Sequence, residues 1–187
     1  MTIQGPTIKL ANGAYWDLTR PEESAELVDF RTIALALSNL CRFTGHTRSF
    51  YSVAEHSIVC SLFAPPGLEW AALCHDAAEA FLGDVSSPLK ALLPDYKALE
   101  RRTEHALFRR LGVWYPLDPL VKEIDLRMLR TEQEQLWDDF QAWQITEGVE
   151  PYPWRLRCWT PALAFQTFHS YFKMLQQLGL VPGCVQW

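Results

Sequence analysis

One apolar stretch of the chain, residues 73–84, contains a histidine and three acids, and it constrains the rest of the sequence more than any other feature. Between residues 68 and 82 most other side chains are Trp, Ala, Leu, Cys or Phe, and no Pro or Gly interrupts them. This pattern predicts one helix that is buried on all sides. Acids in such a helix are costly unless something compensates their charge. A metal ion would compensate it and would also explain the histidine.

The spacing of these residues supports a metal site. His75 and Glu79 are four residues apart and share a helix face, while Asp76 lies about 100° further round the axis. Gly83 is typical of a helix C-terminus, so Asp84 would lie at the mouth of the turn, facing solvent and substrate. An isolated His-Asp pair is more often a core histidine bonded to a carboxylate. The added Glu79 and Asp84 favour the metal site.

Two further inward-facing candidates come from other predicted helices. His56 lies on the apolar stripe of a helix predicted over residues 52–63, where a histidine alone is usually a core residue. Asp125 lies on the buried stripe of a helix predicted over residues 118–137, and a carboxylate there needs a cation or several donors. On the same helix, Glu132 would either support a neighbour or reach water.

A loop at residues 41–48 is dense in hydrogen-bond donors beside an aromatic ring. It is either a solvated connector with one packed ring or a clamp for a phosphate and a base. Lys90, downstream of the acidic stretch, is likewise either a surface lysine or a phosphate contact. The candidate substrate-binding residues are therefore Arg42, Phe43, His46, Arg48 and Lys90.

Composition excludes several classes of protein. The 187 residues fit one domain, and 17 basic against 22 acidic residues give a net charge of −5. This charge argues against a protein that coats a nucleic-acid polymer or an anionic membrane. Five cysteines, an odd number without a C-x-x-C pair, indicate reduced thiols in a cytoplasmic protein. No signal-peptide pattern and no membrane-spanning apolar run is visible in the sequence.

The remaining patterns predict an all-α fold with a small N-terminal β-hairpin. Asn12-Gly13 is a strong hairpin signal, which places the hairpin within residues 1–20. Residues 20–23 are predicted to form a loop, and residues 144–161, rich in Pro, an irregular surface loop. Further helices are predicted at residues 29–40, 95–111 and around 165–175, with a short one that Ser87 would cap.

The tail, residues 180–187, is apolar and is expected to dock onto its own domain or onto a partner subunit. Together with the eight tryptophans it makes a homo-oligomer, a dimer or larger, plausible.

The order His, His-Asp, Asp on three helices resembles that of the HD-domain superfamily of metal-dependent phosphohydrolases. The resemblance is greatest to bacterial 5′-deoxynucleotidases and to related phage enzymes that remove triphosphate from dATP. It spans residues 30–136 of a single domain. The segments that carry it are residues 51–57, 75–79, 83–84, 88–90 and 123–125.

The resemblance implies a role for each candidate residue. The implied ligands of one divalent cation (Co, Mn, Zn, Fe or Mg) are His56, His75, Asp76 and Asp125. Glu79 and Asp84 match the acids that orient or activate water and protonate the leaving oxygen, and Lys90 matches a phosphate-binding lysine. Arg42-Phe43 stands nearest to the family's Arg-aromatic pair, with Phe in place of Trp and the spacing about one residue different.

The resemblance also implies an activity: removal of the 5′-phosphate from deoxynucleoside monophosphates. A close alternative is a dNTP triphosphohydrolase that releases tripolyphosphate and uses more of the basic residues. A non-catalytic nucleotide-binding HD module is a second alternative, and a hydrolase of cyclic dinucleotides or alarmones is a weaker third.

Overall fold

The computed structural model describes residues 5–141 and 143–187. Within this part of the chain helices dominate, and the only sheet described is a two-stranded hairpin near the N-terminus. The prediction of an all-α fold with a small N-terminal hairpin is confirmed. Residues 1–4 of the predicted 1–20 appendage lie outside the described residues.

The hairpin pairs β1 (Thr7–Lys9) with β2 (Tyr15–Asp17) in antiparallel register. Its turn contains Gly13 at a φ of +87°, a conformation that favours glycine. The Asn12 side chain accepts a hydrogen bond from the Ala14 amide at 3.0 Å, so the turn uses the residues that predicted it.

The helices follow sequence signals at their N-termini. The side chains of Asp29, Ser52, Asp118 and Thr160 each accept a hydrogen bond from a backbone N–H in the first turn that follows. The helices are α1 (Pro21–Ala25), α2 (Phe30–Asn39), α3 (Val53–Leu62), α4 (Glu69–Cys74), α5 (Glu79–Leu82), α6 (Ser87–Ala91), α7 (Pro94–Leu111), α8 (Pro119–Gln135) and α9 (Pro161–Gln177), with 3₁₀ helices at Arg42–Gly45 and Gln144–Thr146.

The most completely buried helix is α3, whose residues 53–61 are all buried. It contacts α2, α4, α8 and α9. The central helix was predicted at residues 68–82, and this prediction is corrected: α3 has the central position. Because it is buried all round, its polar side chains Glu55 and His56 must find partners inside the protein.

The predicted continuous helix 68–82 is also corrected, since α4 ends at Cys74 and α5 begins at Glu79. In a continuous helix the carbonyl oxygen of Ala72 would accept from the Asp76 amide. Here it lies 2.7 Å from His75 Nδ1 and accepts from the imidazole. The following amides bond three residues back, Ala77 to Cys74 and Glu79 to Asp76. At this turn the side chains of His75 and Asp76 approach each other, with His75 Nε2 3.2 Å from Asp76 Oδ2.

Two smaller predictions were wrong. Residues 20–23 are not a loop, because α1 begins at Pro21 with Glu22 and Glu23 in its first turn. Proline and acids are both favourable at a helix N-terminus. At α6 the residue that precedes the helix is Ser86 and not Ser87.

The predicted irregular segment 144–161 forms one 3₁₀ turn and is otherwise without helix or strand up to α9. Its end is fixed to the protein core by Glu55 of α3. This carboxylate accepts from the amides of Arg157 at 2.8 Å, Cys158 at 3.1 Å and Trp159 at 2.7 Å.

The apolar tail docks onto its own domain, one of the two predicted possibilities. The Trp187 ring stacks on His169 with centroids 4.3 Å apart and packs against Phe30, Phe165 and Phe172. Among the described residues, no helix has both the length and the apolar character that crossing a bilayer requires.

Candidate metal centre

Three segments bring the four predicted metal ligands into one cluster. His56 comes from α3, His75 and Asp76 from the turn after α4, and Asp125 from α8. The two Nε2 atoms lie 3.2 Å apart. Asp76 Oδ2 is 3.2 Å from His75 Nε2 and 3.5 Å from His56 Nε2, while Asp125 Oδ1 is 3.3 Å from His56 Nε2 and 4.0 Å from His75 Nε2. Atoms that share one ion at about 2.1 Å lie roughly 3.0–3.4 Å apart, so the cluster is close to ligand geometry.

The other ring nitrogens fix the tautomers of both histidines. His56 Nδ1 lies 2.7 Å from Glu132 Oε1, and His75 Nδ1 lies 2.7 Å from the Ala72 carbonyl oxygen. Both partners are acceptors, so each Nδ1 carries its proton and donates it. In the neutral rings the two Nε2 lone pairs therefore face each other and two carboxylates. The four groups would hold a divalent cation, and the donor set of two imidazoles and two carboxylates fits one.

A cysteine adds a further possible ligand. His56, Cys60 and His75 form a group that could hold a metal ion. The Cys60 Sγ lies 3.5 Å from His56 Nε2, one turn along α3. Burial raises the pKa of the Cys60 thiol, which opposes the thiolate form that binds metals. Cys60 was not predicted as a ligand, although its spacing of four residues from His56 is the signal that could have identified it.

A buried ion pair lies behind the cluster. Arg42 Nη2 donates to Glu132 Oε2 at 3.0 Å, and Arg42 Nη1 lies 3.6 Å from Asp76 Oδ2. Burial opposes a charge on Glu132, but the Arg42 guanidinium and His56 outweigh it and lower the pKa of this carboxyl. The sequence left two roles open for Glu132, support of a neighbour or contact with water. The structure favours the first, because the carboxylate binds Arg42 and His56.

A pocket of about 740 Å³ opens from the cluster. It is within the size range of small-molecule sites. The predicted site residues that line it are Arg42, Phe43, His46, Asp76, Glu79, Asp84, Lys90 and Asp125.

The structure does not bring Arg48 to this pocket. Its guanidinium donates to Asp138 Oδ1 at 2.6 Å and to the Gln135 carbonyl oxygen at 2.7 Å. Arg48 is therefore engaged at the end of α8. Sequence order alone could not separate it from Arg42, six residues before it, whose side chain faces inward.

Glu79 and Asp84, the predicted catalytic acids, face the pocket in different environments. Glu79 is buried, and burial together with the charges of Asp76 and Asp84 raises its pKa well above the usual range. Burial also raises the pKa of Asp84, although Arg42 opposes this effect. Both carboxyls therefore hold a proton more readily than free carboxyls do.

Lys90 is held at the pocket wall by acids. Its Nζ lies 2.5 Å from Glu100 Oε1 and 3.9 Å from Glu79 Oε1. Burial alone would lower the pKa of Lys90, but the hydrogen bond to Glu100 and the charges of both acids raise it. The ammonium therefore stays charged at the pocket wall.

Several pocket residues were not predicted as site residues, among them one lysine and two tryptophans. Lys122 Nζ lies 2.6 Å from Asp125 Oδ2, the carboxylate oxygen that turns away from the histidines, and its spacing of three residues from Asp125 is a usable signal. Trp137 and Trp143 also line the pocket, where both pack against Phe43. They lie beyond the end of α8, where no helical periodicity indicates which way a side chain points.

Comparison with known proteins identifies relatives. No protein-family model matches the chain. The Escherichia coli K12 protein named "Uncharacterized protein YfdR" is 44% identical over 118 residues, which are 63% of this chain and 66% of that protein. The chain thus spans slightly less than two thirds of that relative. The Rhodobacter capsulatus protein named "Uncharacterized protein RCAP_rcc00048" is 34% identical over 142 residues, 68% of this chain and 71% of that protein.

Proposed function

The chain belongs to the family of the Rhodobacter capsulatus protein RCAP_rcc00048, and we propose that it is a divalent-metal-dependent phosphohydrolase that removes the 5′-phosphate from deoxynucleoside monophosphates. The observation that carries this proposal is the 3.2 Å approach of the His56 and His75 Nε2 atoms, both in the tautomer that directs a lone pair at two carboxylates. The resemblance to HD-domain phosphohydrolases supports the same conclusion. We also infer that the protein is a cytoplasmic homo-oligomer.

The proposed ligands are His56, His75, Asp76 and Asp125, and Cys60 is not among them. The two carboxylates face the pocket, whereas Cys60 is fully buried and its thiol pKa is raised. Two imidazoles with two carboxylates suit Mn, Co, Fe or Zn better than Mg. A bound divalent cation supplies Lewis-acid chemistry, since it activates water and neutralises charge on a phosphate.

The chain's own residues supply the remaining chemistry. Lys90 and Arg42 place positive charge at the pocket wall, where they offset the charge of a phosphate. Asp84 is the proposed general acid or base, because it lines the pocket off the end of α5 and burial raises its pKa. Glu79, near Lys90, orients water and keeps the lysine in place.

Release of tripolyphosphate from a dNTP is the second candidate function. A longer phosphate chain needs more cationic partners. Lys122 is an additional pocket cation, whereas Arg48 is engaged elsewhere. The pocket therefore offers three basic groups, Arg42, Lys90 and Lys122, and all three are already paired with buried or half-buried acids. This balance favours the monophosphate.

The decisive experiment is a substrate screen with identified products. The protein is loaded in turn with Mn, Co, Zn, Fe or Mg and incubated with every ribo- and deoxynucleoside mono- and triphosphate. We expect inorganic phosphate and a nucleoside. Tripolyphosphate would select the triphosphohydrolase. Metal binding without any turnover across the panel would contradict both and favour a non-catalytic nucleotide-binding module.

Asp84→Asn tests the general acid or base. We expect kcat to fall at least about 100-fold, the usual contribution of a positioned acid or base, while metal content measured by elemental analysis stays at the wild-type level. Asp95→Asn, at an exposed position in the first turn of α7, is the matched control and should retain wild-type kcat. Wild-type turnover in Asp84→Asn would remove Asp84 from the mechanism.

A further inference from the structure

The pocket lining contains a charged group of residues and an aromatic group, called here its charged end and its aromatic end. The charged end contains the two carboxylates of the candidate metal centre with Arg42, Asp84 and Lys90, and the chemistry proposed above uses only this end. The other end is aromatic, because Phe43, Trp137 and Trp143 all line it. A pocket that served phosphate alone would not require this aromatic end.

The three rings form one contiguous wall. Phe43 meets Trp137 edge-on, with centroids 5.0 Å apart and planes at 77°. Trp143 lies 5.7 Å from Trp137 and 6.1 Å from Phe43. None of the three is fully buried, and Trp143 is 36% exposed. Exposed aromatic area concentrated in a pocket is typical of a surface that a ligand covers.

The backbone at Phe43 is held in a costly conformation. Phe43 and Thr44 have φ values of 55° and 56°, in the left-handed region that non-glycine residues rarely adopt. Two such residues in succession persist only where the surroundings hold them. Arg42 helps to hold Phe43, since its guanidinium lies over the ring at 5.2 Å from the centroid. With the backbone in this conformation, the Phe43 ring lines the pocket wall.

Trp143 is also fixed by buried polar contacts. In the 3₁₀ turn that follows, the Thr146 hydroxyl donates to Gln133 Oε1 at 2.7 Å, and the Thr146 amide donates to the Trp143 carbonyl at 2.9 Å. Gln133 of α8 and Thr146 are both almost fully buried. The turn is therefore tied to the helix that carries Asp125, so the aromatic and charged ends are held relative to each other.

We propose that Phe43, Trp137 and Trp143 form a stacking subsite for the nucleobase of the substrate, an inference that rests on the proposed function. A planar base covers the exposed aromatic faces while its 5′-phosphate reaches the charged end. Stacking accepts every base, because each has a π-face. Among the residues lining this end, Gln144 carries the amide that could contact a base edge. The subsite therefore selects nucleotides over sugar phosphates and discriminates weakly among bases.

The test compares substrates with and without a base. Wild-type protein is assayed with the four deoxynucleoside monophosphates and with 2-deoxyribose 5-phosphate, which keeps the sugar and the phosphate. We expect kcat/KM to be roughly 10- to 100-fold higher for the nucleotides, the usual contribution of stacking on an aromatic side chain. Trp143→Ala should lose most of this preference, because KM should rise much more for the nucleotides than for 2-deoxyribose 5-phosphate. Trp143→Phe should restore part of it.

Two controls keep the result interpretable. Trp114→Ala removes a tryptophan that is 90% exposed and does not line the pocket, so it should retain the full preference. Deoxyadenosine binding to chelator-treated protein gives a readout independent of turnover. We expect it to quench tryptophan fluorescence in the wild type and in Trp114→Ala, and to quench it less in Trp143→Phe, which keeps an aromatic packing group.

The outcomes separate this inference from the proposed function. Deoxyadenosine quenching that depends on Trp143, in a protein that hydrolyses no nucleotide, supports the subsite and overturns the phosphohydrolase. Nucleotide hydrolysis with equal kcat/KM for 2-deoxyribose 5-phosphate overturns the subsite and leaves the phosphohydrolase intact. Preference unchanged in Trp143→Ala, with unchanged quenching in Trp143→Phe, also overturns the subsite.

Discussion

Two glutamates, Glu55 on α3 and Glu132 on α8, are both fully buried but bind different kinds of hydrogen-bond partner. Within residues 5–141 and 143–187, the Glu55 carboxylate accepts only backbone amides, those of residues 157–159. The Glu132 carboxylate is bound by ionisable side chains, Arg42 and His56. One glutamate fastens an irregular segment to the core, and the other lies directly behind the candidate metal centre.

The difference in partners gives opposite charge behaviour. Burial raises the pKa of Glu55, although the three amides oppose this effect. For Glu132 the guanidinium and the imidazole outweigh burial and lower the pKa. Backbone dipoles thus hold a carboxylate in place without fully compensating its charge. The Arg42 guanidinium compensates the charge, and the carboxylate in turn fixes the tautomer of His56.

Glu55→Ala is the change with the largest expected effect, and it acts on stability. It leaves three amide donors without their acceptor and opens a cavity beside α3, so we expect a loss of about 3–5 kcal/mol in the free energy of unfolding. Urea denaturation measures it. Metal content per folded molecule should not change, because this glutamate does not face the cluster.

Glu55→Gln sharpens the same test, because it keeps the shape and one acceptor oxygen. We expect a smaller loss, about 1–3 kcal/mol, since one amide then faces the side-chain NH₂ group. Equal stability of wild type and Glu55→Ala would contradict the assignment of this carboxylate as the anchor of the segment.

Glu132→Gln is expected to act on the metal centre more than on the fold. The glutamine keeps a hydrogen bond to His56 or Arg42 but removes the negative charge that they share. Partners of this kind usually contribute 10- to 100-fold in metal affinity, so we expect a weakening of about that size in a competition titration with a chelator. Glu134→Gln, exposed on the same helix, is the matched control. Unchanged affinity in Glu132→Gln would contradict the positioning role.

The sequence identified the four clustered side chains because their identity and inward position are local properties. His75 and Asp76 are neighbours in the chain. The apolar stripes of two predicted helices place His56 and Asp125 on inward-facing sides. The structure then brings all four together, and their role as ligands stays a prediction. The break at residue 75 was missed because it depends on the imidazole competing with an amide for the Ala72 carbonyl. Intrinsic helix propensities do not account for a side chain that competes with a backbone amide.

Partners distant in sequence could not be predicted. Glu55 bonds to amides 102 to 104 residues away, and Arg42 pairs with Glu132 90 residues away. Neither contact leaves a periodic signal in one sequence. The aromatic wall of the pocket was not predicted for a similar reason. Trp137 and Trp143 follow the end of α8, and the turn that Thr146 anchors sets the position of Trp143.

A third carboxyl, Glu104 on α7, extends the comparison to a group whose surroundings are mainly acidic. Burial and the negative charge of Glu100 raise its pKa to about 7 from an ordinary value of 4.5, with a smaller contribution from Asp76, while Lys90 and Arg101 oppose the shift. The unfolded chain releases this proton at lower pH than the folded protein does. Ionisation therefore opposes folding progressively between about pH 4.5 and 7, and the penalty is complete above that range.

Glu104→Gln removes this penalty, so the variant should be more stable than the wild type at pH 8 and equally stable at pH 4. Because the carboxyl is partly exposed, we discount the shift for solvent screening and expect a gain of about 1 kcal/mol at pH 8. That gain corresponds to a Tm rise of about 2–4 °C for a chain of this size. Thermal unfolding in chelator across this pH range measures it. A difference between the two proteins that stays constant with pH would show that packing, and not the charge of Glu104, sets their relative stability.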